Sequence, residues 1–225
     1  MRISHRLKFI FFSKPRCAST SIRKILDPYA DILSTDKHPF HHHVTALILK
    51  KYFKENDYEW DNYFKFITIR NPWEMIVSLF HYGKPDVNGL YFWVDEYNGL
   101  KRDATKLIPF NDWIIRTDIV KSWHYYAFQN GQYLEKVWTN DFSFYTIGNF
   151  IQDEEGNILV NEIIKVEELN CKMSKIFKKI GINEADIPSL NRTEHVNYRH
   201  YYTKETMKII EDQFKTDIEI GKYLF

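Results

Sequence analysis

The chain has 225 residues, 44% of them hydrophobic and 17% aromatic, enough to bury one substantial core. Its 31 Lys and Arg nearly balance 30 Asp and Glu, and a formal net charge of +1 excludes a global field that collects nucleic acid or anionic membrane, so any anion site has to be local. Two cysteines, Cys17 and Cys171, make no disulfide framework, and no run approaches the roughly 18 apolar residues of a membrane span, which together predict a soluble, cytoplasmic chain with free thiols.

Leu7 to Ser13 is a short, nearly continuous apolar run that suits a buried parallel strand, and from Ser19 to Leu26 the spacing of Ile22, Ile25 and Leu26 becomes helical. Lys14-Pro15-Arg16-Cys17-Ala18-Ser19-Thr20-Ser21 joins the two. A strand that turns sharply into a helix through small and hydroxylated residues aims backbone N–H groups, with the positive end of the helix dipole behind them, at one spot that suits phosphate or sulfate. The segment lacks Gly-x-x-x-x-Gly-Lys-Ser/Thr and is no Walker A loop. The same residues also suit a plain helix cap, with Ser19 or Thr20 capping and Lys14 and Arg16 in solvent.

The histidine-rich patch His38-Pro39-Phe40-His41-His42-His43 comes next, followed by Val44, Leu47, Ile48 and Tyr52 on one helical face. Zinc is the rival reading of the patch, but neighbouring imidazoles point apart and no Cys or carboxylate completes a tetrahedral set. Phe64 to Arg70 is rich in β-branched and aromatic residues and predicts a strand, Pro72 suits a first helical turn, and Trp73, Ile76, Val77 and Phe80 continue the helix. Arg70 at the strand end and Ser78 two turns into the helix let a guanidinium fork and a hydroxyl converge on one phosphate; alternatively Arg70 pairs with Glu74 and Ser78 bonds back within its helix. The order strand-helix-helix-strand-helix predicts an α/β domain of P-loop-like, three-layer type, its central, mostly parallel sheet flanked by helices and both anion sites at the carboxyl ends of strands.

Residues 83–109 show no period around Tyr91-Phe92-Trp93 and read as a long functional loop. A helix is expected from about Asn111 through Trp113, Val120 and Trp123 to about Gln129. Phe144 to Ile151 and Ile158 to Val166 read as two strands of a peripheral hairpin, near 143–166, turning at Asp153-Glu154-Glu155-Gly156-Asn157. Leu169, Met173, Ile176, Phe177 and Ile180 form a helical face stopped by Gly181, and a last helix starts at the capping residue Thr203 and uses Met207, Ile210 and Phe214. Tyr91-Phe92-Trp93, Trp113, Trp123 and His124 offer aromatic faces to sugars, although core packing is the commoner role, and Lys101, Arg102 and Lys106 offer cations to an acidic glycan or simply stay solvated.

Pro15 to Ser21 resembles the 5′-phosphosulfate loop of sulfotransferases that use 3′-phosphoadenosine 5′-phosphosulfate (PAPS), commonly Pro-Lys-x-Ala/Gly-x-Thr-Ser. Arg70 through Ser78 resembles their 3′-phosphate motif, Arg-Asn/Asp-Pro-x-x-Arg-x-x-Ser. The likeness covers most of the chain, and Leu190-Asn191-Arg192-Thr193, Tyr198 to Thr203 and Asp217 to Phe225 are similar to the carbohydrate (glycosaminoglycan-type) branch and its bacterial relatives. Two positions depart from the pattern: Arg16 stands where the loop lysine usually does, with Lys14 two residues earlier, and Met75 replaces the second motif's second arginine.

The resemblance implies one sulfotransferase domain over residues 1–225, PAPS as sulfuryl donor, no required metal, and an acceptor hydroxyl on an oligosaccharide or glycoconjugate. It assigns the backbone N–H groups of Cys17, Ala18, Ser19, Thr20 and Ser21, with the Thr20 and Ser21 hydroxyls, to the 5′-phosphosulfate. Arg70 and Ser78 go to the 3′-phosphate, and Arg192 and Thr193 to the nucleotide. Arg16, assisted by Lys14, offsets charge on the leaving 5′-phosphate. His43, in a His43-Val44-Thr45-Ala46 stretch that resembles the family's His-x-Thr-Ala segment, takes the acceptor proton with a pKa near the ordinary ~6.5, its plain alternative being a surface residue that opens a helix. A Mg²⁺-dependent nucleotide kinase or other P-loop phosphotransferase, and a non-catalytic module that binds PAP (the desulfated donor) or an anionic glycan, are the other classes open.

Overall fold

A computed structural model of the chain describes residues 1–34, 40–82, 108–117, 121–125, 128–129, 132–133, 136–183, 186–188, 190 and 193–225. In chain order the elements used below are β1 (Arg2–Ser4), β2 (Phe9–Phe12), α1 (Ser19–Leu26), β3 (Ile32–Leu33), α2 (Ala46–Glu55), β4 (Phe64–Ile69), α3 (Pro72–Tyr82) and α4 (Phe110–Ile115). Then follow β5 (Ser122–Tyr125), β6 (Lys136–Thr139), α5 (Ile147–Ile151), β7 (Glu162–Lys165), α6 (Leu169–Lys179), α7 (Lys204–Gln213) and α8 (Lys215–Gly221). The described residues group into two units, one drawn from Met1–Arg70, Ala127–Tyr133 and Ile147–Arg192, the other from Asn71–Tyr126, Leu134–Thr146 and Thr193–Phe225.

The first unit is built on a five-stranded sheet of order β3-β1-β2-β4-β7. β2, β4 and β7 run parallel, with Phe11 opposite Phe66 and Ile67 opposite Ile163, while β1 is antiparallel to β2 and β3. Parallel strands covered on both faces need continuous apolar runs, and Phe9 to Phe12 are all fully buried. Successive side chains point to opposite faces. Phe9, Phe11 and Phe66 therefore pack with Ile22 and Leu26 of α1 and Met173, Ile176 and Phe177 of α6, while Phe12 meets Trp60, which stands edge-on to Phe53 of α2. Each fully buried Phe is worth about 1.5–3 kcal/mol, so a one-residue slip of β2 would exchange its two faces at large cost. The result is the α/β fold that the sequence predicts, a central sheet flanked by helices.

Two expectations change here. The stretch 144–151 is not a strand: Ser143–Tyr145 is a 3₁₀ turn and α5 follows, so that short apolar run takes helical rather than extended geometry. The turn at 153–157 does form, closed by an antiparallel bridge between Gln152 and Ile158, but β7 then pairs with β4 inside the central sheet, so there is no peripheral hairpin.

In the second unit Asn71 caps α3, its Oδ1 accepting from the N–H groups of Trp73 (3.1 Å) and Glu74 (3.3 Å). The Trp73 indole donates to Met207 O at 3.1 Å and Tyr202 Oη to Trp73 O at 2.8 Å, and Phe80 and Phe142 pack against Trp113. Thr203 caps α7 through Thr206 N, as its position predicts. The helix expected from Asn111 to Gln129 stops at Ile115, because the buried Lys121 ammonium takes the carbonyls of Ile114 (2.7 Å) and Arg116 (2.8 Å) and the chain leaves as β5, paired antiparallel with β6. Among the described residues no helix is long and apolar enough to cross a membrane.

Candidate functional site

The loop between β2 and α1 has two non-glycine residues in the left-handed region, Arg16 at φ 58° and Ala18 at φ 57°. Each such residue costs about 1–2 kcal/mol, so the surrounding structure has to impose the conformation. Ala18 is the N-cap of α1 and gives it no side-chain cap hydrogen bond, and the first turn holds no acidic residue. This corrects the plain-cap reading, in which Ser19 or Thr20 served that role. Left-handed residues within such a turn bring successive N–H groups toward a common point, and a helix N-terminus behind them adds partial positive charge.

β4 fastens the loop from one side. Thr68 Oγ1 donates to Cys17 O at 2.5 Å and Arg70 Nη1 to Arg16 O at 3.5 Å, so the predicted 3′-phosphate arginine reaches the backbone of the predicted 5′-phosphosulfate loop. Lys14 is fully buried, with Nζ 3.9 Å from Cys17 Sγ, and Arg16 is half-buried; neither is the solvated cation of the plain reading. Ser19 and Ser21 are buried, and the Ser21 hydroxyl accepts from Leu190 N at 3.1 Å, which leaves its own O–H as the donor.

His43 lies in a turn two residues ahead of Thr45, the N-cap of α2, whose side chain accepts from Ile48 N. His43 Nδ1 is 2.6 Å from the carbonyl of Ser13, the residue between β2 and Lys14. A carbonyl can only accept, so Nδ1 carries the proton and Nε2 the lone pair. Burial pushes the His43 pKa down to about 3, against the hydrogen bond to Ser13 O and with the help of charge on His41 and Arg23. This corrects the expected value near 6.5: the imidazole is neutral throughout the ordinary range. The rings of His41, His42 and His43 stand 5.9 to 6.4 Å apart, and among the described residues no group of three His, Cys, Asp or Glu side chains is placed to hold a metal ion.

In the second unit, Ser78 is buried on α3 and its Oγ lies 3.1 Å from Thr193 Oγ1. One turn on, His81 Nε2 meets Tyr201 Oη at 2.7 Å and the His81 ring stacks on His195 with centroids 5.4 Å apart. The segment around Thr193 is thus held on α3 at two successive turns.

No protein-family model matches the sequence, and no curated protein sequence matches it. The crystal structure of mouse sulfotransferase SULT7A1 complexed with PAP matches this fold with a TM-score of 0.51 at 15% sequence identity, over 98% of this chain and 89% of that one. The likeness is one of fold.

The first unit thus gathers Lys14, Arg16, Cys17, Ala18, Ser19, Thr20, Ser21, Arg70 and His43, and the second pairs Ser78 with Thr193. Arg192 lies outside the described residues, as do Tyr91-Phe92-Trp93, Lys101, Arg102 and Lys106; Trp123 and His124 sit in a strand described by its backbone alone. Trp113 is a core residue rather than a sugar platform. Sequence reasoning overlooked Ser13, Thr68 and Arg23. Arg23 was within reach, since it follows Ser19 by four residues and Thr20 by three and so shares their helix face.

Proposed function

We propose that this chain is a sulfotransferase that takes a sulfuryl group from PAPS and places it on an acceptor hydroxyl of a carbohydrate, and that residues 1–225 act as one catalytic domain. The observation that carries the reading is the loop at 14–21: a helix N-terminus whose N-cap is Ala18, with Arg16 and Ala18 left-handed, no acidic residue in its first turn, and Lys14, Arg16 and Arg70 gathered beside it. These residues fit a phosphosulfate, because N–H groups and cations converge with no competing carboxylate in the turn.

When bound, PAPS supplies an activated sulfuryl group on a phosphate leaving group. The N–H groups of Cys17 to Ser21 and the Thr20 and Ser21 hydroxyls hold the phosphosulfate. Lys14 and Arg16 stabilise the charge that accumulates on the 5′-phosphate oxygen as the S–O bond breaks. His43, its tautomer set by Ser13 O, accepts the acceptor hydroxyl's proton at Nε2 while that oxygen bonds to sulfur. The resemblance gives Arg70 and Ser78 to the 3′-phosphate and Arg192 and Thr193 to the nucleotide. The carbohydrate acceptor rests on the resemblance of the C-terminal segments to the glycosaminoglycan-type branch.

Calorimetry with PAP in EDTA tests the donor. Binding without metal that is lost in Arg70→Ala is the expected result. Indifference to PAP, or binding of ATP that depends on Mg²⁺ in its place, would overturn it in favour of a phosphotransferase. Turnover with labelled PAPS over a panel of oligosaccharides separates an enzyme from a module that only binds.

A further inference from the structure

One side chain that no motif covers joins the phosphate loop to the histidine turn. Arg23 lies on α1 and its guanidinium reaches back over the first turn of that helix. Nε donates to Ser19 O at 3.3 Å and Nη2 to Thr20 Oγ1 at 3.2 Å. Nη1 points the other way and donates to His42 Nδ1, a nitrogen that Ser34 Oγ also approaches at 2.6 Å. A guanidinium has five donors and no acceptor, so the directions of these bonds are fixed: Thr20 Oγ1 accepts, which directs the hydroxyl proton away from Arg23, and His42 accepts through Nδ1. The next residue, His43, is tied to the strand that feeds the same loop by its Nδ1 bond to Ser13 O at 2.6 Å.

We infer that Arg23 is a positioning residue, a rigid fork that holds the phosphate loop and the turn bearing the proton acceptor in fixed register. The inference rests on the donor and base roles proposed above for Thr20 and His43. A planar guanidinium is suited to the task because its donors are held in one plane, so a displacement of Thr20 is carried to His42 and from there to the adjacent His43 backbone. A single ammonium could hold either segment but not both in one geometry. The arrangement gives the two halves of the reaction a common anchor: a change at the loop that receives the phosphosulfate alters the setting of the base.

The test uses the full chain as Arg23→Met, which removes the charge, and Arg23→Lys, which keeps charge but loses the fork. The readouts are the ¹⁵N and ¹H resonances of the His43 imidazole in the ligand-free protein, PAP affinity by calorimetry, and kcat and KM for the acceptor once one is found. In both variants the His43 Nδ1–H resonance should move from its wild-type position, PAP binding should weaken about tenfold, and kcat should fall by more than KM rises. His43 resonances that overlay the wild type in folded Arg23→Lys would overturn the inference, whatever happens to stability. Wild-type protein that ignores PAP would refute the donor reading instead, and the ligand-free spectra would still decide whether Arg23 sets the histidine turn.

Discussion

Ser78 Oγ and Thr193 Oγ1 lie 3.1 Å apart, 115 residues from each other in sequence, so a helix and a distant segment present two hydroxyls at one place. Ser78 is buried and Thr193 half-buried, and a hydrogen bond between two such hydroxyls is worth about 1 kcal/mol. Ser78→Ala and Thr193→Val should each lower stability by about that amount, and the double variant by less than the sum, because both remove one interaction. The same cycle read as PAP affinity should also fall short of additivity. Denaturant titration and calorimetry on the four proteins check both statements, and strict additivity in both would mean that the two hydroxyls act separately.

At Ala18 the backbone itself can be tested. A φ of 57° tolerates glycine without penalty and excludes branched side chains. Ala18→Gly should leave stability within about 1 kcal/mol of wild type and keep PAP binding, whereas Ala18→Val should cost about 2 kcal/mol and abolish binding by forcing the turn out of shape. Thermal unfolding and calorimetry measure the pair. Full PAP affinity in Ala18→Val would show that the left-handed turn is not what receives the phosphosulfate.

These two sites show what was legible in the chain and what was not. Phe9 to Phe12 announces a doubly covered parallel strand because burial on both faces leaves no polar alternation, and Thr203 announces a helix start because a cap is a local hydrogen bond. Ala18 as the cap, by contrast, depends on a φ angle that no residue type dictates when glycine is absent. The low pKa of His43 arises where it packs against a segment 30 residues away, and the Arg23 fork spans 19 residues to His42. Phe144 to Ile151 misled because short apolar runs fit either period, and the helix expected to Gln129 misled because the Lys121 ammonium that caps α4 is a contact no apolar spacing encodes.

His43 carries a pH prediction whose sign follows from its depressed pKa. Unfolded, the imidazole takes up a proton near pH 6.5; folded, burial holds it neutral down to about pH 3. Between those values the unfolded state binds the extra proton, so stability is complete above pH 6.5 and declines as pH falls, by up to about 1.4 kcal/mol per unit. His43→Asn, whose amide can still donate to Ser13 O, should flatten that slope while retaining PAP binding and losing turnover. Urea titrations at pH 4.5 and 7 measure the slope. In the wild type, kcat/KM should lack an acid limb at pH 6.5, since that profile reports the free enzyme; an acid limb at pH 6.5 together with a urea-derived stability that does not change between pH 4.5 and 7 would contradict the burial.

In the proposed reaction Lys14 and Arg16 compete for the leaving-group role, and their burial ranks them. Lys14 is withdrawn from solvent and Arg16 only partly so. A charge in a lower dielectric acts more strongly on a neighbouring anion, because less water screens it. Lys14→Met should therefore lower the single-turnover rate by about 10²–10³, the range seen when one transition-state donor is removed, and Arg16→Met by about tenfold. Arg16→Lys, which restores the residue usual in the resembling loop, should recover most of the second loss, because a half-exposed position tolerates the exchange of one cation for another. Rapid-quench measurements with saturating donor isolate this step from binding. The reverse ranking, with Arg16→Met the more damaging and Arg16→Lys failing to recover, would give the leaving group to the guanidinium fork and leave Lys14 as a support of the Cys17 side chain.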